Sequence, residues 1–309
     1  MVQKQTLTLT GFAITFTGAV LFSTKAILVK AAFAHTSVDA VTLLTLRMIF
    51  SLPFFLVTAF AVCNRTNNSY LNQKEWLLTI LMGVFGYYLS SLFDFLGLQY
   101  ISAGLERLIL FLYPTFAVLI NAVVFKQKIV VNQIIALLLT YAGIVLAYVG
   151  ELLFEKHNAH FLLGSFLVFL CSITYSIYIV GSGRLIPYVG ANKFTAYTML
   201  SATAGVFLHF IIKGNYALLL QTSGLWWYGI LLAVIATVVP SFLLAYGLKR
   251  IGSNNVAIIS SVGPVSTIIQ AHYFLGEKIF IEQILGTALV LTGVLLLGWK
   301  GGKRLSFSK

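Results

Sequence analysis

The chain reads as an all-α polytopic membrane protein. Ten transmembrane helices are expected, arranged as two inverted five-helix repeats with both termini cytoplasmic. Three observations predict this. Of 309 residues, 59% are hydrophobic and only 9% charged, whereas a soluble domain carries about 25% charged residues. Ten stretches approach the roughly 20 apolar residues a spanning helix needs. Residues 150 positions apart also match in one gapless register.

The ten spans are predicted over residues 11–33, 40–62, 76–98, 102–125, 130–150, 161–181, 194–212, 226–248, 253–275 and 280–299. Their connections are short, and no soluble domain or linker separates them. The longest, 63–74, is polar and holds two sequons at Asn64 and Asn67, which are read as chance matches in a cytoplasmic loop. The net charge of +12 would suit a nucleic-acid binder if the basic residues clustered on a polar face. Here they punctuate apolar runs instead. Loops on the side of the termini carry thirteen basic residues: Lys4, Arg65, Lys74, Lys126, Lys128, Arg184, Lys193, Lys249, Arg250, Lys300, Lys303, Arg304 and Lys309. The opposite loops and edges carry four, Arg107, Lys156, Lys213 and Lys278. Basic loops stay inside, so both termini are placed in the cytoplasm.

The internal register divides the chain into halves at 1–150 and 151–309. Gly97-Leu98 falls on Gly247-Leu248, Pro114 on Pro264, Lys128-Ile129 on Lys278-Ile279, Gln133-Ile134 on Gln283-Ile284 and Gly143 on Gly293. Each half holds five helices, an odd number, so the second must insert upside down. That is the architecture of secondary transporters, with the site between the repeats near the midplane.

The candidate site centres on 87–114, where ionisable groups stand in apolar helices. A charge at the bilayer centre costs about 2.5–3.5 kcal/mol on insertion scales, which makes it a functional candidate. The first helix holds Lys25 about 4 Å beyond its midpoint and Lys30 about 12 Å beyond it. Arg47 follows on the second helix. Asp94 shares a helical face with Tyr87 and Ser91. Glu106 and Arg107 open the fourth helix, where a dipole favours the anion and disfavours the cation. Tyr113, Tyr175, Tyr178 and Gln270 complete the polar candidates. Pro114 and Pro264 each interrupt a helix and are read as hinges. The six ionisable positions of the first half fall at +150 on Tyr175, Val180, Tyr197, Leu244, Val256 and Ala257. Symmetry is therefore broken where the charge lies. Counting Lys25, Lys30, Arg47 and Arg107 against Asp94 and Glu106 leaves an expected excess of two positive charges, which points to a substrate bearing a carboxylate. Asp94 is the expected proton carrier if transport is coupled.

Several of these segments resemble the drug/metabolite transporter superfamily, and its EamA-type members in particular. The run Phe22-Ser23-Thr24-Lys25-Ala26-Ile27-Leu28-Val29-Lys30 is similar to the family's Trp-Gly-Ser followed five residues later by Lys. Leu46-Arg47-Met48 resembles its second-helix arginine, and Tyr113-Pro114 and Gly263-Pro264 its repeated proline. Leu275-Gly276-Glu277-Lys278 resembles the Gly-Glu turn that closes each repeat. Departures are Phe22 for Trp, Ser23 for Gly, and Lys126-Gln127-Lys128 where the first repeat often has Gly-Glu-Arg. The resemblance implies carrier-mediated movement, usually export, of small metabolites, amino acids or drugs across the inner membrane.

Other classes find less support. No HExxH, GxSxG, P-loop or Asp-rich metal motif is present, so neither an enzyme nor a cofactor is expected. Cys63 and Cys171 form no metal or disulfide pattern. No secretory signal peptide is read at the first apolar stretch, which is too long for one. The alternatives held against transport are a membrane enzyme or lipid flippase using Asp94 and Glu106, and a non-transporting scaffold. The expected partners are a small-molecule substrate and the bilayer, with proton coupling and a homodimer left open and no nucleic acid. The orientation has a direct test: a cysteine placed at Asn68 should be protected from an impermeant thiol reagent added outside intact cells, and ready labelling there overturns the topology.

Overall fold

The structure, a computed structural model, describes residues 8–63, 71–127, 129, 131–154, 158–220 and 224–301. Both sequons, Lys128, Lys156 and the terminal basic residues Lys4, Lys303, Arg304 and Lys309 lie outside them. Helices account for nearly all of the described residues, and no strand occurs among them. In chain order they are α1 (Leu9–His35), α2 (Ala40–Cys63), α3 (Gln73–Leu98), α4 (Ala103–Phe125), α5 (Val131–Phe154), α6 (Phe161–Val189) and α7 (Ala191–Lys213). A five-residue helix, Tyr216–Leu220, leads to α8 (225–260), α9 (Gly263–Leu275) and α10 (Ile281–Gly301). Among the described residues, eight stretches are long and apolar enough to cross a bilayer, from Leu9–His35 to Leu225–Leu244.

The eighth and ninth expected spans differ from their prediction. No turn separates residues 248 and 253; α8 runs helically through to Ser260. That leaves α9 only 13 residues, about 20 Å at 1.5 Å per residue, against a hydrocarbon core of about 30 Å. α10, Ile281–Gly301, is 21 residues long, about 31 Å at 1.5 Å per residue, in keeping with the expected 280–299. In the first half Ser102 caps α4, its hydroxyl accepting the Leu105 amide at 3.0 Å; the residue 150 positions on is Gly252.

Elsewhere the local features recur at the 150-residue interval. A π-type turn interrupts α3 at Val84–Leu89 and α8 at Val234–Val238. Regular helix lapses at 111–112 and again at 261–262, where Leu112 and Val262 reach back three residues, to Ile109 and Ile259. Pro114 and Pro264 occupy the first turn of the helices that follow. Proline supplies no amide and crowds the carbonyl four residues earlier, so a lapse just before it is its natural consequence. Both following helices end in the left-handed region, at Lys126 (φ 53°) and Gly276 (φ 68°), with Gln127 and Glu277 amides bonding back to Asn121 and Ala271 at 3.2 Å.

Packing follows the same rule. α1 lies against α8 and α9, while α6 lies against α3 and α4; α2 packs on α7, and α5 on α10. α5 and α10 approach so closely at Gly143 and Gly293 that a side chain on either would strike the facing backbone. These contacts bring α1, α3 and α4 together around the interior where the charges lie. Lys126 is the one non-glycine residue with positive φ among those described. Lys126→Gly should remove left-handed strain of about 1–2 kcal/mol, less the added chain entropy of glycine, and raise the thermal unfolding midpoint in detergent by a degree or more.

Candidate functional site

Each charged side chain is delivered by an apolar helix. α1 places Lys25 among Ala26, Ile27 and Val29, all buried. α3 places Asp94 beside Phe95, and α4 places Glu106 and Arg107 between Leu105 and Leu108. Lys25 Nζ stands 2.8 Å from Asp94 Oδ2 and 3.8 Å from Glu106 Oε1. Both carboxyl groups are 0% exposed and lie within hydrogen-bonding reach of each other. The lysine contact is short but off-axis for a hydrogen bond, so none of the four carboxyl oxygens meets a donor in good geometry. One ammonium therefore faces two buried carboxyl groups.

Arg47 on α2 is a bridge. Its Nε donates to Thr237 Oγ1 on α8 at 2.8 Å and its Nη1 to Ser91 Oγ on α3 at 3.1 Å. The guanidinium sits 5.7 Å from the Phe95 ring centre. Thr237 passes the contact on, donating to Leu232 O across the π turn. The expected sharing of a face by Ser91 and Asp94 is thus used to hold Arg47 above the carboxyl pair.

Arg107 is different. Its guanidinium carbon lies 5.7 Å from the rings of both Phe22 and Phe111, and an added methyl at Gly263 would sit 2.8 Å from one of its nitrogens. Among the described residues it makes no hydrogen bond and no ion pair, and its Nε is buried without a partner. Phe111 leads into an aromatic wall. Tyr113 meets Phe111 at 5.8 Å and Tyr175 at 5.1 Å; Tyr175 stacks on Tyr178 at 5.8 Å, and Tyr178 meets Tyr87 edge-on at 5.0 Å. The Tyr87 and Tyr178 hydroxyls are 3.2 Å apart. Nine of the eleven sequence-predicted residues thus belong to one charged cluster and the wall beside it, with Ser91 joined through Arg47. Gln270 does not join them: its contact is with Ser266 on its own helix, at 2.8 Å.

Lys30 leaves the cluster. It donates to Ile101 O at 2.6 Å and pairs with Glu277 at 3.7 Å. Glu277, read in the sequence as a turn residue, caps α4 from the other half by accepting the Ala103 amide at 3.0 Å. Glu151 accepts the Ser102 hydroxyl at 2.8 Å beside it. Without Lys30, the cluster has three cations against two carboxyl groups, an excess of one rather than two. Sequence reasoning did not pick out Thr237, Glu151 or the cross-half role of Glu277. The Gly-Glu pairs at 150–151 and 276–277 were the one signal that could have flagged the carboxylates.

A bundle of apolar helices enclosing such a cluster is a multi-pass membrane protein with an interior polar site. The EamA-like transporter family matches this chain twice, over residues 9–149 and 162–299, and the chain belongs to that family. An uncharacterized transporter, YcbK, of Bacillus subtilis is 31% identical over 294 residues, covering 93% of each chain. YyaM of the same organism, also an uncharacterized transporter, is 23% identical over 225 residues, 72% of each chain. A solved crystal structure 19% identical aligns over 93% of this chain and 96% of its own with a TM-score of 0.65, a likeness of fold. The protein is a membrane transporter. Removing one member of a buried ion pair costs about 3–5 kcal/mol. Lys25→Met should therefore lower the unfolding midpoint in detergent by many degrees, and adding Asp94→Leu to it should recover most of the loss.

Proposed function

We propose that the protein moves small metabolites, amino acids or drug-like compounds bearing an anionic group by alternating access between two inverted halves. The observation that carries this reading is Arg107, a buried guanidinium with no ion pair or side-chain hydrogen bond among the described residues. A buried cation with no partner is costly, and a carboxylate in the bidentate geometry that arginine favours would compensate it. The aromatic wall beside it supplies apolar surface for the rest of the ligand. The exchange of partners between the halves, α1 and α6 each against the third and fourth helices of the other, supports the inverted arrangement. So do the lapses before Pro114 and Pro264, which are the natural hinges for rocking one half on the other. Export across the inner membrane is the direction implied by the family resemblance, and proton coupling is part of the same reading.

Ligand class is tested by thermal shift on the purified protein in detergent. A panel of carboxylates, neutral amino acids and organic cations is added at millimolar concentration. A ligand at 100 times its dissociation constant stabilises by about 2.7 kcal/mol, so a hit shifts the midpoint by several degrees. Carboxylate-bearing compounds should give the hits, and Arg107→Gln should abolish them while binding nothing new. Stabilisation by organic cations alone, unaltered in Arg107→Gln, overturns the proposal. Loss of the hit compound from loaded liposomes, abolished in the same variant, then tests transport itself.

A further inference from the structure

Glu106 is a further unsatisfied group in the cluster. One distance sets it apart from Asp94: Lys25 is committed to Asp94 at 2.8 Å and stands 3.8 Å from Glu106. Both Glu106 oxygens, like those of Asp94, are fully buried without a hydrogen-bond donor among the described residues. Arg107, the next residue in the chain, does not turn to pair with it but lies between Phe22 and Phe111. The groups facing Glu106 are Lys25 from α1, Asp94 from α3 and Cys171 from α6, with Arg107 on its own helix; Arg47 from α2 acts on it through Asp94. Two ionised carboxylates and one ammonium cannot all be compensated here, and carboxyl groups side by side resolve such a conflict by sharing a proton.

We propose that Glu106 is the proton-binding group of the transport site, donating its hydrogen to the Asp94 carboxylate while Lys25 neutralises Asp94. The residue first expected to carry the proton, Asp94, is held by the lysine instead. The inference rests on the transporter reading for its purpose but not for its chemistry. With the proton in place the cluster carries two uncompensated cations, Arg47 and Arg107; without it the excess is one. Proton and anionic ligand therefore strengthen each other's binding by the same factor. That mutual preference couples the two as a symport, so an inward proton gradient favours uptake, whereas the export implied by the family resemblance would run on the ligand's own gradient; the sequence neighbours Glu106 and Arg107 hold the two ligands.

Infrared difference spectroscopy of the purified protein in lipid nanodiscs reads the proton without any substrate. The wild-type minus Glu106→Gln spectrum at neutral pH should show the carbonyl stretch of a protonated carboxylic acid, shifted down in heavy water. Carboxylate bands in its place overturn the proposal. Glu106→Gln mimics the neutral acid, so its unfolding midpoint should match the wild type; a variant that fails to fold shows that the ionised group is required and also overturns it. Asp94→Asn should abolish the carbonyl band, because Glu106 then ionises to take over Lys25. A band that persists in Asp94→Asn argues against the shared proton. Replacing choline chloride by sodium chloride should leave the band unchanged, and its loss in sodium would assign the site to a metal cation. Because these spectra need no ligand, a negative ligand screen leaves their outcome intact, and a positive screen does not predetermine it.

Discussion

An ammonium and two carboxyl groups share the interior of an apolar bundle, and much of the arrangement serves to keep them there. Effective desolvation of each ion is worth several kcal/mol even after relaxation. Lys25 and Asp94 offset that cost only because α1 and α3 are held at a fixed separation by the packing of α1 against α8 and α9 and of α3 against α6. Arg47 contributes a second restraint. Its bonds to Ser91 and Thr237 tie α3 to α8, so the helix that carries Asp94 is anchored to the helix on which α1 rests. The ion pair and the tertiary packing each presuppose the other.

Local geometry repeats between the halves and charge does not. The π turns, the lapses ahead of Pro114 and Pro264 and the left-handed helix ends all recur after 150 residues. Backbone of this kind follows from proline, glycine and helix-end chemistry, which both halves retain. At the six ionisable positions of the first half, the second offers Tyr175, Val180, Tyr197, Leu244, Val256 and Ala257. Tyr175 is the instructive case. It stands where Lys25 stands in the first half, and instead of a charge it adds a ring to the wall that begins at Phe111. One half thus carries the charged cluster and both contribute to the aromatic wall.

Helices and the charged candidates were legible because the signals are strong and one-dimensional. Long apolar runs, a proline in register, and ionisable residues where lipid-facing helices forbid them need no tertiary information. What escaped the sequence was pairing between the halves. Whether Lys30 serves the cluster or the end of α4 depends on Glu277, some 250 residues away, reaching it across the interface between halves. Thr237 carries no signal at all, being one hydroxyl among many until the π turn aims it at Arg47. The turn expected between residues 248 and 253 is absent, and α8 runs helically to Ser260. Gln270 was a fair polar candidate on composition, yet its own helix satisfies it.

The ends of the bundle extend this asymmetry to the proposed alternation. At the start of α4, Glu277 caps the Ala103 amide and pairs with Lys30, and Glu151 holds Ser102. The Glu277 contacts join the halves, so this end opens only if they break. Their counterparts 150 residues away are Gln127, Val180, Gly301 and Gly252, which have no charge to offer. In a carrier built from inverted halves, the two ends take turns in the closed geometry. Charge-assisted bonds are roughly twice as strong as neutral ones, so the end at α4 closes more firmly than its mate. The two conformations are then unequal in free energy without ligand, and the difference resides in Glu277 and Lys30 rather than in the hinge prolines that both halves share. Under the proposed alternation, a ligand that stabilises the opposite conformation must offset that difference before access can switch, which would give the carrier a resting state in which the site faces one side.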